Sequence, residues 1–178
     1  IRDCLLSRGL GDVYKRQHKE VPAKGQIAIF NRSHYEDIIA VRVKKIFPDP
    51  VWKRRYKHVL DFESMLAEEG TVIIKLFLNI SKEEQKKRLE SRLQDPDKLW
   101  KFCMDDLDDR NRWDEFQTAY QDLIEKTSTP EAPWYIIPAD RKWYRNLVVA
   151  RLMVEKLRHL QLSLPTPNFD PASIIIPD

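Results

Sequence analysis

The sequence predicts an α/β protein, a parallel sheet whose strands are joined by crossover helices. Two observations predict it. From His18 onward, short apolar runs alternate with longer segments whose apolar residues recur every three or four positions, and helix-start and turn residues separate the two kinds. The chain also has the size of a single domain: 178 residues, 42% hydrophobic and 33% charged, suffice for one well-buried core.

The elements follow in order. Residues 26–30 (QIAIF) read as a first strand, and 33–47 as a helix that Pro48 and Pro50 close. A second helix runs from about Val51 to Glu69, with Trp52, Tyr56, Val59, Phe62 and Leu66 on one face, and Gly70 ends it. Residues 72–78 form the second strand. Ser81-Lys82-Glu83-Glu84 is a capping box, the Ser81 hydroxyl satisfying one helix N–H while Glu84 reaches back to another, and the helix it opens carries Leu89 and Leu93 inward. After Asp95-Pro96-Asp97 comes a loop, then a helix with Trp113, Phe116, Tyr120, Leu123 and Ile124 on one face. A turn-rich connection (127–133) leads to a short third strand (134–138). Asp140 then caps a closing helix built on Trp143, Leu147, Ala150, Val154 and Leu157.

The ends read differently. Residues 1–17 (IRDCLLSRGLGDVYKRQ) have neither the apolar core nor the cleavage site of a signal peptide, and their wording is that of translated sequencing-adapter DNA, a non-native leader. Residues 163–178 form a Pro-rich tail of low expected order. No apolar run approaches the roughly 20 residues of a membrane helix, so no membrane partner is expected. Cys4 and Cys103 give neither a disulfide framework nor metal-ligand spacing, which suits a reducing compartment and a cytoplasmic address.

Polar and charged residues crowd the junction after the first strand: Phe30-Asn31-Arg32-Ser33-His34-Tyr35-Glu36-Asp37. The ends of strands in α/β enzymes open into the crevice where ligands bind. Asn31 or Ser33 as a plain helix cap, and Glu36 and Asp37 as favourable charge on a helix N-terminus, are the structural alternatives. Arg88 and Arg92, four apart, share a helix face that could grip a phosphate chain, although Glu84 is also placed to pair with Arg88. Lys75 interrupts an apolar strand, where an ammonium is costly unless it meets solvent or an anion. Asp105, Asp106, Asp108 and Asp109 are candidate metal ligands or a solvated helix start. The net charge is only +3, yet Arg42, Lys44, Lys45, Lys53, Arg54, Arg55 and Lys57 cluster with Asp49 as the single acid among them. Such a cluster suits a polyanion or a solvated helix face.

Taken together, the 30–37 motif, Ser81-Lys82-Glu83-Glu84-Gln85 with Arg88, Asp109-Arg110 with Trp113, and Ala132-Pro133-Trp134-Tyr135 leading to Pro138-Ala139-Asp140 resemble the family-2 polyphosphate kinases over residues 18–160. The resemblance implies a P-loop-kinase-like parallel sheet flanked by helices, a helical lid at about 81–126 within a domain spanning 18–162, and Mg²⁺-dependent transfer of a phosphoryl group between inorganic polyphosphate and a nucleotide. The Tyr35-Glu36-Asp37 ending is similar to members that accept AMP as well as ADP. In these terms Arg32, Arg88 and Arg92 are the catalytic candidates. Arg32, Lys75, Arg42, Lys45, Lys53 and Arg54 would bind polyphosphate. Asn31, Glu36 and Asp37 would position the nucleotide or metal-bound water. Asn31, standing where many relatives have Asp, would be the metal residue, though an amide lends no negative charge to a cation.

The phosphate-cradling Gly-Lys turn of a P-loop is missing, since Gly9, Gly11, Gly25 and Gly70 all precede other residues. The expectation is therefore a truncated and silent kinase whose first strand and loop lie upstream, and a homo-oligomer when intact. A nucleic-acid-binding module and an ATP-dependent nucleotide kinase of the same fold are the competing functions. No nucleic-acid module or stacking platform is evident in the sequence.

Overall fold

The computed structural model describes residues 18–163, 166–174 and 176–177. Six helices and two strands are described, here numbered in chain order: α1 (Glu36–Val43), α2 (Asp49–Glu68), β1 (Lys75–Asn79), α3 (Lys82–Gln94), α4 (Asp105–Asn111), α5 (Trp113–Thr127), β2 (Trp134–Pro138) and α6 (Lys142–His159). Short 3-10 turns occupy Pro96–Lys101 and Pro171–Ser173. The expected leader and Cys4 lie outside the described residues.

β1 and β2 pair in parallel, with Lys75 opposite Trp134 and Asn79 opposite Pro138. The ladder continues one step further, Ala139 donating its N–H to the Asn79 carbonyl at 2.8 Å. Helices α3, α4 and α5 make the connection, as parallel neighbours require a long crossover. The 72–78 strand is therefore real but shifted, its paired part being Lys75–Asn79. Residues 26–30 are not a strand. They carry the apolar composition of one, but a strand exists through its ladder, and among the described residues none forms there, the Gln26 N–H only closing a turn onto the Ala23 carbonyl at 3.0 Å. Ile27 and Ile29 are accordingly 65% and 87% exposed.

The core lies among three helices rather than on the sheet. Ile38, Ile39, Val41 and Val43 of α1 pack with Trp52 and Val59 of α2 and with Ala119 and Leu123 of α5. The i, i+3, i+4 spacing of these residues is what lets α1 insert between its neighbours. Gly70 ends α2 as expected: at φ +87° it allows Thr71 to donate back to Leu66 and Gly70 to Ala67, both at 2.9 Å. The end of α1 uses the same geometry without glycine. Lys45 stands at φ 53°, with Ile46 donating to Val41 and Lys45 to Arg42. The helix thus stops at Val43 and not at Phe47, because the lysine takes the left-handed position itself.

Three further expectations are corrected. Leu89 is buried but Leu93 is half exposed, since α3 buries one narrow edge. The span after Asp95 is a 3-10 turn followed by α4, not a plain loop. Among the described residues no side chain of α6 is buried and β2 is the element it meets to any extent, so Trp143, Leu147 and Val154 are exposed there.

Candidate functional site

The polar junction ahead of α1 forms a tight turn. Glu36 donates to Ser33 and Asp37 to His34, each at 3.1 Å, so the helix starts through stacked turns with no side-chain cap from Asn31 or Ser33. Arg32 sits at φ 76°, a left-handed backbone that costs a non-glycine residue about 1–2 kcal/mol. Its guanidinium is half exposed and lies 3.3 Å from Glu36, one turn into the helix. Burial pushes the Glu36 carboxyl up, with Arg32 opposing and Asp37 adding to the rise. Asp37 points the other way. It is 1% exposed, its carbonyl accepts from Arg55 at 2.6 Å and its carboxylate lies 3.9 Å from the same guanidinium. Asn31 is exposed. One residue pair, Arg32 and Glu36, thus faces outward from this turn, while Tyr35 and Asp37 anchor it from beneath.

That anchor contains an ion pair sealed from solvent. The Lys75 ammonium donates to Glu63 Oε2 at 2.7 Å, to the Tyr35 hydroxyl at 3.0 Å and to the Thr127 carbonyl at 2.6 Å, which occupies all three of its donors. The Tyr35 hydroxyl in turn donates to Glu63 Oε1 at 2.6 Å, and His34 Nε2 lies 3.5 Å from that oxygen. Lys75 also sits over the rings of Tyr35 and Trp134, and the Trp134 indole N–H donates to Thr127 Oγ1 at 2.9 Å. Burial opposes ionisation of Glu63, but hydrogen bonds from His34, Lys75 and Tyr35 outweigh it and hold the carboxyl below its ordinary range. Burial lowers the Lys75 ammonium, with Glu63 opposing. Burial and the Glu63 charge raise the Tyr35 phenol. Five elements meet here: the start of α1, α2, β1, the end of α5 and β2.

A second polar node joins the strand ends. The Asp140 carboxylate accepts the Ser81 N–H at 2.8 Å, while Ser81 Oγ accepts from Glu84 N at 3.1 Å. Asp140 therefore caps α3, not the closing helix, whose N-cap is Arg141. Glu84 does not reach back to Ser81; its carboxylate accepts from Arg88 Nε at 2.8 Å. Arg88 goes on to donate to the Ala139 carbonyl at 2.6 Å, tying α3 to the loop after β2. Arg92 lies 3.4 Å from Asp106. Within the expected lid Arg110 donates to Lys82 and Gln85 of α3, and the lid is tied to the end of α1, Arg112 donating to the Val43 carbonyl and Lys44 lying 2.8 Å from Asp109. Burial raises the Tyr120 phenol, with the Glu36 and Asp109 charges adding to it and Arg32 opposing, so α5 brings this ring within electrostatic range of the Arg32 turn.

The basic run from Arg42 to Lys57 is heavily partnered. Arg42 donates to Asp122 at 2.6 Å and lies over the Trp52 ring; the Arg42 hydrogen bond holds the Asp122 carboxyl below its ordinary range. Lys53 pairs with Asp49 at 2.8 Å, Lys57 with Asp61 at 2.6 Å, and Arg54 donates to the Pro50 carbonyl at 3.2 Å. Lys45 is exposed. Among the described residues no group of three or more His, Cys, Asp or Glu is placed to hold a metal ion. Asp106 and Asp109 face Arg92 and Lys44, and Asp37 faces Arg55. These side chains by themselves do not make a metal centre.

Sequence reading missed Glu63 and Thr127, and gave Tyr35 no role beyond its place in the 30–37 motif. A signal was present. Glu63 falls four residues after Val59 and seven after Tyr56, a carboxylate on the apolar face of α2, and Lys75 interrupts an apolar strand; each charge out of place pointed to the other.

A parallel strand pair joined by a helical crossover, with polar groups gathered at the strand ends, places the chain among the α/β proteins, whose ligands bind beyond the carboxyl ends of the strands. Residues 10–164 match the family Polyphosphate kinase 2 (PPK2), and the chain belongs to that family, with its P-loop-kinase-like fold. It is 52% identical over 165 residues to an AMP/ADP-polyphosphate phosphotransferase of Meiothermus ruber, covering 93% of this chain and 62% of that protein. It is 36% identical over 166 residues to an ADP-polyphosphate phosphotransferase of Rhodopseudomonas palustris, covering 86% and 57%. The crystal structure of polyphosphate kinase 2 from Arthrobacter aurescens TC1 superposes with a TM-score of 0.86 at 46% identity, over 94% of this chain and 58% of that one. The chain thus spans about three fifths of the length of these relatives.

Proposed function

We propose that the natural protein carrying this chain transfers a phosphoryl group between inorganic polyphosphate and ADP or AMP. The observation that carries this reading is the 52% identity, over 93% of the chain, to a protein named AMP/ADP-polyphosphate phosphotransferase. The outward pair of Arg32 and Glu36 supports it. A guanidinium fork matches phosphate oxygens and would offset charge developing during in-line transfer, without a covalent enzyme intermediate. In this proposal Arg32 is the catalytic residue, and Arg88 and Arg92 join it when the lid contacts with Glu84 and Asp106 exchange for phosphate. Asn31 and Glu36 orient the nucleotide or metal-bound water. Lys45, Lys53 and Arg54 guide the polyphosphate chain. Mg²⁺ would travel chiefly on phosphate oxygens, because the described side chains form no metal centre. The functional unit includes residues 18–162, with its lid at about 81–126, and works as a cytoplasmic homo-oligomer.

The test gives the full-length natural protein polyphosphate, Mg²⁺ and either ADP or AMP, and measures nucleotide products. Formation of ATP from ADP, abolished by omitting Mg²⁺ and not replaced by ATP as donor to AMP, is expected. Transfer from ATP alone would make the protein a nucleotide kinase, and no turnover with tight RNA or DNA binding would make it a nucleic-acid module.

A further inference from the structure

The left-handed backbone at Arg32 is a strained conformation, and such conformations persist when surrounding contacts over-determine them. Here those contacts run through the buried Tyr35 hydroxyl, three residues along. We infer that Tyr35 and Glu63 are positioning residues: the hydrogen bond between them holds the 31–37 turn in the shape that aims Arg32 outward. This rests on the function proposed above.

The geometry supports the inference at each link. Tyr35 is 5% exposed, and its ring packs edge-on against Trp134 at 4.9 Å. The hydroxyl donates to Glu63 at 2.6 Å and accepts from Lys75 at 3.0 Å, which fixes the ring in rotation as well as depth. His34 extends the clamp, stacking on Tyr35 at 4.6 Å and meeting Phe62 edge-on at 5.9 Å. The backbone between the clamp and Arg32 is short, and its turns close on Ser33, His34 and Tyr35 carbonyls. Loosening the phenol therefore releases the left-handed residue toward ordinary backbone angles and swings its guanidinium away. A misplacement of about 1 Å near reacting groups can lower a rate by roughly a hundredfold. Tyr35, Glu63 and Lys75 are 5%, 4% and 6% exposed, so affinity for the phosphate chain is not the clamp's task.

The experiment compares three variants of the full-length natural protein. Tyr35→Phe deletes only the hydroxyl. Glu63→Gln and Glu63→Leu both remove the counter-charge of Lys75 and share that loss of stability, but Gln keeps an acceptor facing Tyr35 and Leu does not. Tyr35→Phe and Glu63→Leu are expected to lower kcat by roughly tenfold at unchanged KM for polyphosphate, while Glu63→Gln stays within about threefold of wild type. Equal kcat losses for Gln and Leu, or a change confined to KM, would overturn the inference. Amide hydrogen exchange over residues 31–37 reads the turn without any turnover. Exchange there should quicken about tenfold in Tyr35→Phe while α5 is unaffected, and unchanged exchange would sink the inference whatever the activity proves to be. Absence of polyphosphate turnover in wild type ends the proposed function and leaves this exchange arm standing.

Discussion

Asp140, at the end of one strand, caps the helix that follows the other: its carboxylate accepts the Ser81 N–H at 2.8 Å. The contact staples the segments that leave the two strands at the rim of the sheet, where ligands of α/β proteins bind. Replacing Asp140 by Ala should lower stability by about 1 kcal/mol, the usual worth of a lost cap. Chemical denaturation of the full-length protein measures it. The expected change is in the midpoint with an unchanged slope.

Arg88 ties the same rim from α3, through Glu84 and the Ala139 carbonyl. Arg88→Lys keeps the charge but cannot serve both acceptors in the fork geometry. We expect a loss of about 1–2 kcal/mol, read by the same denaturation. A variant as stable as wild type would show that the contacts to Ala139 contribute nothing.

Removing Lys75 leaves Glu63 charged and buried. Lys75→Met should therefore destabilise by about 3–5 kcal/mol, far more than the surface change Lys57→Met, whose partner Asp61 is exposed. Differential denaturation of the two variants tests the contrast.

Acid acts on the same pair. The folded-state pKa of Glu63 is depressed, so its contribution is fully present above the unfolded value of about 4.3 and is lost as pH falls through the folded value. Stability measured from pH 7 downward should hold until about pH 5 and then fall, and Glu63→Gln should flatten that fall. An identical acid profile for the variant would refute the assignment.

Arg32→Gly separates the strain from the chemistry. Glycine takes φ 76° freely, and the lost Arg32–Glu36 pair is half exposed, so stability should rise by a few tenths to about 1 kcal/mol. The proposed phosphoryl transfer should meanwhile drop by roughly a hundredfold in kcat. Thermal unfolding and steady-state rates on one preparation check both.

Much of this was legible from residue order. The α/β class, the strand at 134–138, the glycine end of α2 and the Ser81 cap follow from patterns within a few residues of each other, and the structure has them all. What escaped needed knowledge of distant neighbours. Residues 26–30 have strand composition, but pairing depends on what lies alongside. Asp140 looked local to the helix after it, yet its acceptor faces Ser81, 59 residues away. The α6 stripe from Trp143 to Val154 has helical spacing, which fixes the helix but not whether anything covers it. At the candidate site, sequence named the outward residues but not how Tyr35 and Lys75 meet Glu63 beneath them, because a buried clamp is assembled from the start of α1, α2 and β1 together.

The exposed setting of α6 bears on how the fold opens. Among the described residues nothing buries a side chain of this 18-residue helix, which rests on β2, so in this chain by itself it has little to lose by detaching. Local opening free energies scale with the apolar contacts that must break. Amides of α6 should exchange with solvent as a separate cooperative unit, orders of magnitude faster than those of α1, α2 and α5. Proteases admitted by such partial opening would cut first around Lys142 to Arg158, leaving the three-helix core as the last species to survive.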